Sequence, residues 1–343
     1  MLLTRKTYLA ALIGAAVLTT GNAHSAGADT KPVFYGTINL SLDNEDLEGA
    51  KSASEAGRDQ WSLNSNNSRL GVKQDIQLDN GLTAVLKAEF RINVDDGKES
   101  DGKTFSQRDI YAGLKGEFGQ VIAGRFNTPL RAAEGKLDPF NHLRGDIDTV
   151  LGGQNRVDNI VQYSSPAFAN TVVHAAFIPG ENSDTDGDGN NDTSIADAYS
   201  IAAVFDNKSI YAALALDINQ AAGTTTDGLT RSDRLQLAAG WNLGALKAGA
   251  IIQQAEDSDD SSKKDTAFIL NGSYTLGKTT LKAQIGENKG DKTDNKRNLA
   301  AIGADYALDK KSYLYVAYSQ LSADSGAAEA DDKTLQIGFN QSF

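Results

Sequence analysis

An aspartate-rich stretch has the spacing in this sequence that most directly suggests site chemistry. Alternate acids run as Asp184-Thr-Asp186-Gly-Asp188-Gly, and Asp192 follows. Ca²⁺ takes roughly six to eight oxygen ligands, and a glycine at a sharp bend suits such a loop. The twelfth position counted from Asp184 is Ile195 rather than glutamate, so this is not a full EF-hand loop. We expect an acidic, solvated surface loop; a calcium site formed by these four aspartates is the alternative hypothesis.

The histidines give little support for catalysis. The chain has three of them, His24, His142 and His174. A Ser–His hydrolase would need a serine beside one of them, and no G-x-S-x-G motif occurs. No Cys/His metal spacing and no phosphate-binding glycine loop with its lysine occurs either. The sequence therefore predicts a protein that is not an enzyme and requires no cofactor.

The N-terminal segment has the regions of a bacterial export signal. Arg5 and Lys6 precede an apolar run at 9–18, and small residues with two competing A-x-A-like sites follow at 23–28. The run is shorter than the roughly 20 apolar residues that a spanning helix needs. We predict that residues 1–26 are a signal peptide, cleaved within 25–28, and that 27–343 form the mature domain.

Composition excludes several classes of protein. The net charge of -12 argues against a nucleic-acid partner. Cysteine is absent, so disulfides do not stabilise the fold. No linker rich in proline, serine or charge divides the chain, and only five prolines occur. We therefore expect a single domain.

Segments that alternate between apolar and polar residues recur along the whole chain and predict sixteen β-strands. Their predicted ranges are 33–42, 69–78, 82–93, 108–116, 119–127, 156–164, 171–178, 197–206, 208–218, 233–243, 246–255, 265–275, 279–287, 298–308, 312–321 and 333–343. Short turns alternate strictly with long polar loops at 43–68, 94–107, 128–155, 179–196, 219–232, 256–264, 288–297 and 322–332. A barrel with one rim in the periplasm and the other outside sorts its loops in this way.

The two faces of each strand predict which side meets water. In the segment 82–93, Leu82, Leu86 and Phe90 share one face, and Lys87 and Glu89 lie on the other. Sixteen strands enclose a lumen too wide for side chains to fill. An apolar interior would be a void, so the charged face should line water and the apolar face should meet outer-membrane lipid. We predict an all-β, transmembrane, antiparallel β-barrel of 16 strands.

Local sequence resembles the Gram-negative general porins. The similar segments are Ser68-Arg-Leu-Gly-Val-Lys73, Asp79-Asn-Gly-Leu82, Ala84-Val-Leu-Lys-Ala-Glu-Phe90, Arg108-Asp-Ile-Tyr-Ala-Gly-Leu-Lys-Gly-Glu-Phe-Gly119, Gly124-Arg-Phe-Asn-Thr-Pro129 and Arg156-x-x-Asn159-x-x-x-Tyr163-x-Ser165-Pro166. The resemblance implies a homotrimer whose loop 3, residues 128–155, folds into the lumen and constricts it.

The same resemblance indicates which charges would line the constriction. The basic candidates are Arg69, Arg91, Arg108, Arg125 and Arg156. The acidic candidates on loop 3 are Glu134, Asp138, Asp146 and Asp148. Opposed charges across a narrow aqueous passage would set up a transverse field. Alternatively, some of them only pair with one another to hold loop 3, which also carries three basic residues of its own.

The C-terminal strand ends on an aromatic residue. Leu335, Ile337, Phe339 and Phe343 share one face of the segment 333–343. A terminal phenylalanine on such a face resembles the C-terminal signature of bacterial outer-membrane barrels. It implies that Phe343 is an assembly signal for the barrel-assembly machinery.

The predicted function is an outer-membrane channel through which small hydrophilic solutes and ions diffuse passively. A substrate-specific channel is one alternative, and it would require aromatic residues or an arginine ladder along the lumen. A non-conducting barrel that acts as an adhesin or envelope anchor is another. Single-channel conductance separates the three.

Overall fold

Antiparallel strands make up most of this computed structural model, which describes residues 31–98, 102–181, 193–326 and 328–343. Within these ranges there are seventeen strands, one short α-helix, α1 (Pro129–Ala132), and two 3₁₀ helices at Ala53–Glu55 and Ile147–Thr149. The strands are β1 (Val33–Leu47), β2 (Arg58–Ser65), β3 (Arg69–Gln77), β4 (Thr83–Arg91), β5 (Ser106–Gly116), β6 (Gly119–Asn127), β7 (Arg156–Ser164), β8 (Thr171–Ile178), β9 (Ala198–Asp206), β10 (Ile210–Ala221), β11 (Arg231–Leu243), β12 (Leu246–Asp257), β13 (Lys264–Leu276), β14 (Thr279–Gly290), β15 (Lys296–Ala307), β16 (Ser312–Asp324) and β17 (Glu329–Ser342).

The sheet closes into a barrel. Each strand from β3 to β16 pairs antiparallel with the next along the chain. β17 then pairs with β1, in a register that runs from Thr37 opposite Ser342 to Leu47 opposite Asp332. Closure pairs the backbone groups that a sheet edge would leave free, which is the condition for crossing a bilayer with strands.

β2 and β3 together make one crossing of the barrel. β1 pairs with β2 along its second half and with β3 along its first half. Between them the ladder is interrupted, and the hydroxyl of Ser68 accepts a hydrogen bond from the backbone N–H of Asn39 (2.9 Å). The predicted number of sixteen crossings is therefore confirmed, with one of them in two pieces. The predicted long loop at 43–68 was wrong, because its sequence extends the β1–β2 hairpin and the connection is only 48–57.

Apolar side chains point out of the barrel. Along β11, Leu235 and Leu237 are 45% and 52% exposed, whereas Arg234 and Gln236 are 2% and 1% exposed. A water-soluble sheet would show the opposite pattern; this one suits a wall with lipid outside and a polar lumen inside. We call the two sides the outer face and the inner face. None of the helices in the described ranges is long and apolar enough to cross a membrane.

Short turns lie at one rim. In the β11–β12 hairpin only Gly244 and Ala245 connect the strands, and Gly244 has a φ of +77°, a conformation that glycine adopts without strain. The short-turn rim of an outer-membrane barrel faces the periplasm, and the long-loop rim faces outward.

Candidate functional site

The connection between β6 and β7, residues 128–155, packs against the inner face of the wall. Leu130, Ile147, Val150 and Leu151 in this segment are 0% exposed. They cluster with small wall residues on β9 to β13, namely Ala202, Ala213, Ala215, Ala238 and Ala267. Alanine at these positions leaves room for the segment, and burial of apolar surface stabilises its packing against the wall.

Four inward-facing glutamines hydrogen-bond the same segment, and we call them the glutamine ladder. Their bonds join Gln236 Nε2 to Leu130 O (3.2 Å), Gln253 Nε2 to Gly152 O (3.1 Å), Gln284 Nε2 to Gly145 O (2.8 Å) and Gln336 Oε1 to Arg144 N (2.9 Å). A side-chain amide satisfies an irregular backbone that has no strand to pair with. These residues were not predicted, although each glutamine lies beside an outward-facing leucine or isoleucine, which was a readable signal.

A network of charges lies on β4, β5 and β7, and we call it the wall cluster. Arg108 Nε lies 2.6 Å from Glu89 Oε1, and Lys87 Nζ lies 2.7 Å from Asp109 Oδ2. Arg156 Nε lies 2.9 Å from Asp109 Oδ1. The predicted residues Arg108 and Arg156 are therefore brought into one network through carboxylates that the sequence analysis did not single out.

A β-bulge explains how Arg108 reaches this cluster. Simple alternation would place Arg108 with Ile110, on the side opposite Asp109. The register between β4 and β5 shifts between Ala88 and Phe90, so the bulged strand has an extra residue there. A bulge re-aims the side chains beside it. Arg108 and Asp109 consequently both reach partners in the wall cluster.

Four arginines contribute positive charge to the environment of His142. Burial, together with the positive charges of Arg69, Arg108, Arg131 and Arg156, lowers the pKa of His142 to about 3. The imidazole is therefore neutral at physiological pH and adds no charge. In the described ranges, no carboxylate lies within ion-pair distance of Arg69. The region around His142 is thus rich in positive charge.

Two of the predicted acids turn towards the backbone of their own segment. Asp138 accepts hydrogen bonds from the N–H groups of Phe140 (2.8 Å) and Ile147 (3.2 Å). Asp146 accepts from the N–H groups of His142 (2.6 Å) and Asp148 (2.9 Å). Burial raises the pKa of Asp138 to about 6 and that of Asp146 well above its usual range, with Asp138 adding to the second shift. Both acids therefore shape the segment.

The other two acids differ in exposure. Burial, reinforced by the charge of Asp146, raises the pKa of Glu134 to about 7. The side chain of Asp148 is 43% exposed and lies 3.2 Å from Lys51 Nζ. Asp148 is therefore the most exposed of the four acids and pairs with a lysine outside the segment.

The two remaining predicted arginines, Arg91 and Arg125, do not join the ion pairs of the wall cluster named above. Arg91 is exposed and directly opposite Arg69 in the β3–β4 register. Arg125 forms an ion pair with Asp158 (2.7 Å), whose side chain is 66% exposed. Alternation along β6 places Arg125 on the face opposite Phe126, which is 5% exposed. The structure puts Arg91 beside Arg69 and does not bring Arg125 to the wall cluster.

The structure also brings a serine and a histidine together. Ser164 Oγ lies 2.8 Å from His174 Nδ1, and Gln162 Nε2 donates to the same hydroxyl (3.1 Å). Among the described residues no carboxylate lies within ion-pair distance of His174. A serine nucleophile relies on a base that a third group orients, so this pair lacks a required part.

Two other predictions concern the loop after β8 and the C-terminus. Asp184, Asp186, Asp188 and Asp192 lie outside the described residues, so the calcium site stays a prediction. In the described ranges, no group of His, Cys, Asp and Glu could hold a metal ion. Phe343 is 52% exposed, and its N–H donates to Gly36 O (3.1 Å) at the closing seam.

Comparisons with known proteins agree with this architecture. The sequence profile of the Gram-negative porin family matches residues 10–326. The chain is 22% identical over 304 residues to the major outer membrane protein P.IB of Neisseria sicca, covering 80% of this chain and 84% of that protein. Its fold is similar to that of the anion-selective porin from Comamonas acidovorans, with a TM-score of 0.75, 21% identity, and coverage of 91% and 99%. It is also similar to the trimer form of in-vitro folded OmpT from Vibrio cholerae, with a TM-score of 0.62, 17% identity, and coverage of 92% and 100%.

Proposed function

The chain belongs to the Gram-negative porin family and forms an outer-membrane channel for passive diffusion of small hydrophilic solutes; from this premise we propose that its passage is narrowed by segment 128–155 and favours anions. The segment's contacts with the glutamine ladder support a position inside the lumen. The side of the segment nearest the wall cluster would then form one edge of the passage.

The excess of basic groups around His142 carries the proposal. The positive charges of Arg69, Arg108, Arg131 and Arg156 act on His142. In the wall cluster, Lys87, Arg108 and Arg156 are matched by only two carboxylates, Glu89 and Asp109. Fixed charges act over a Debye length of about 10 Å at 0.1 M salt, so an ion in a narrow passage is within their range. Low-dielectric walls also focus the field. Anions should therefore be concentrated at this level of the channel.

The acids of the segment oppose this field only weakly. The pKa values of Glu134 and Asp138 are raised to about 7 and about 6, so the carboxyl groups are partly protonated near neutral pH. Both oxygens of Asp138 are also engaged by backbone N–H groups. Asp148 remains as the exposed negative group of the opposing wall. One protein of similar fold is described as anion-selective, which agrees with this sign.

Zero-current potential in planar bilayers tests the proposal. Under a KCl gradient the wild-type channel should prefer chloride, and Arg69→Gln with Arg156→Gln should shift the potential towards cations. Asp148→Asn should shift it towards anions. All shifts should shrink in molar salt, where screening acts within about 3 Å.

The control removes two positive charges from elsewhere. Lys310→Gln with Lys311→Gln alters an exposed turn at the short-turn rim and should leave the potential almost unchanged. A protein that never conducts would support the non-conducting barrel and overturn the channel function. If the channel conducts and its zero-current potential does not change when both arginines are replaced, only the proposed constriction is overturned.

We also propose that the protein assembles as a homotrimer and that Phe343 is read by the barrel-assembly machinery. Support for the trimer comes from OmpT of Vibrio cholerae, a protein of similar fold that has a trimer form. Support for the role of Phe343 is that it is an exposed aromatic residue beside the β1–β17 seam. Cross-linking of the purified protein in detergent measures the oligomeric state.

A further inference from the structure

A cavity of about 330 Å³ lies between segment 128–155 and the wall at the short-turn rim. The segment contributes residues 135–137 and Pro139 to it, and the wall contributes the β9–β10 turn and parts of β10 to β13. The cavity is separate from the wall cluster, because none of the residues of β4, β5 or β7 lines it. Because the short-turn rim faces the periplasm, the cavity lies at the periplasmic mouth of the channel.

Specific contacts hold the cavity in shape. Tyr211 Oη donates to Ala133 O (2.9 Å), and Asn271 Nδ2 donates to Leu137 O. A Cβ at Gly240 would lie 2.6 Å from a methyl carbon of Leu137, so glycine at this position lets the segment approach. Ligand sites are usually preformed in this way. The cavity therefore does not depend on a rearrangement.

The charge of the cavity is positive. Lys136, Lys208 and Lys247 line it and are exposed, and in the described chain none of them lies within ion-pair distance of a carboxylate. Asp206 also lines the cavity, and its Oδ1 accepts the backbone N–H of Lys208 (2.7 Å). Three lysines against one aspartate leave a formal charge of +2. Three ammonium groups without partners in a shaped recess favour an anion.

We propose that this cavity is a binding subsite for small organic carboxylates with an apolar body, at the periplasmic mouth of the channel. The inference rests on the proposed channel function and deepens it by naming a solute class. The lysines would hold the carboxylate, and Leu137, Pro139 and Tyr211 offer apolar surface to the body of the molecule. Ligand pockets of about 300 Å³ or more combine an apolar lining with a few polar groups in this way. Binding must be weak enough for release, as conduction requires.

Block of single-channel current by benzoate tests the subsite in the full protein. Benzoate added to one chamber at a time should lower the KCl current in a concentration-dependent way, and more strongly from one side. The variant Lys136→Gln/Lys208→Gln/Lys247→Gln should need at least about tenfold more benzoate, the change expected when roughly 1.4 kcal/mol of binding is lost. Benzyl alcohol, which has the same ring without the charge, should not block.

A matched control keeps the test specific. Lys278→Gln/Lys310→Gln/Lys311→Gln removes the same charge from other short turns and should leave the benzoate response unchanged. Equal weakening in both triple variants would overturn the subsite in favour of a general field at the rim. Block by benzyl alcohol, or no block of the wild type, would also overturn it. Normal KCl conductance with no benzoate effect rejects the subsite alone, whereas loss of conductance in the wild type rejects the channel function.

Discussion

The substitution Gln253→Leu should loosen segment 128–155 without unfolding the barrel. Gln253 is 1% exposed, and its amide donates to Gly152 O (3.1 Å) and Gln236 Oε1 (3.0 Å) while accepting from Arg234 (2.7 Å). Leucine fills a similar volume but satisfies none of these groups. Each buried polar group left unpaired costs about 1–3 kcal/mol. Arg234 and Gln236 keep other partners, so we expect a net loss of roughly 3 kcal/mol, a rise of about a hundredfold in local opening.

Hydrogen exchange measures this directly. Amides in 130–152 should exchange about a hundredfold faster in the variant, and single-channel current should become noisier. The strands should stay protected because the β11–β12 ladder is intact. Gln254→Leu is the control, since this neighbouring glutamine is exposed on the outer face. Equal protection of 130–152 in both variants would show that the glutamine ladder does not hold the segment.

Three further predictions concern pH, calcium and assembly. The folded-state pKa values of Glu134 and Asp138 are raised, so their ionisation opposes packing of the segment above about pH 7 and this penalty disappears towards pH 4. Hydrogen-exchange protection of the segment, corrected for intrinsic rates, should therefore be higher at low pH, and Glu134→Gln should flatten the profile; a profile identical to that of the wild type would contradict this. If the aspartate-rich loop binds calcium, chelation should raise its protease sensitivity, and Asp186→Ala with Asp188→Ala should have the same effect. Calorimetry without calcium binding would leave the solvated-loop interpretation. Deletion of Phe343 should leave synthesis and export intact but reduce the folded oligomer, and assembly at the wild-type yield would show that the terminal signature was misread.

Strand positions were predictable where a strict period of two ends at a turn residue. The ranges 119–127, 156–164 and 171–178 match the structure residue for residue. The hairpin extension at 58–65 was missed, because only Trp61 and Leu63 alternate within an otherwise polar stretch, too short a pattern to predict a strand. Pairing with an existing strand, rather than the local pattern, makes this stretch a strand.

The sequence proposed charged residues for the site but could not give the directions of their side chains. The direction of Arg108, for example, depends on a bulge that only the β4–β5 register creates. Asp138 and Asp146 looked like exposed acids of a polar loop. Asp146 is buried and Asp138 is partly buried, and both accept hydrogen bonds from backbone N–H groups, since an irregular segment has no strand partner to satisfy its donors.

The sequence by itself determined the barrel, the number of crossings and which face of each strand meets lipid, because alternation and turn spacing are local properties of the chain. Only the tertiary structure decided which charged side chains are neighbours. Residues that are distant along the chain meet in three places: the ion pair of Arg156 with Asp109, the hydrogen bond from Gln253 to Gly152, and the cavity with its three lysines. Closure of the sheet and packing of segment 128–155 create those neighbours, and neighbouring charges and burial then set the electrostatics of the passage.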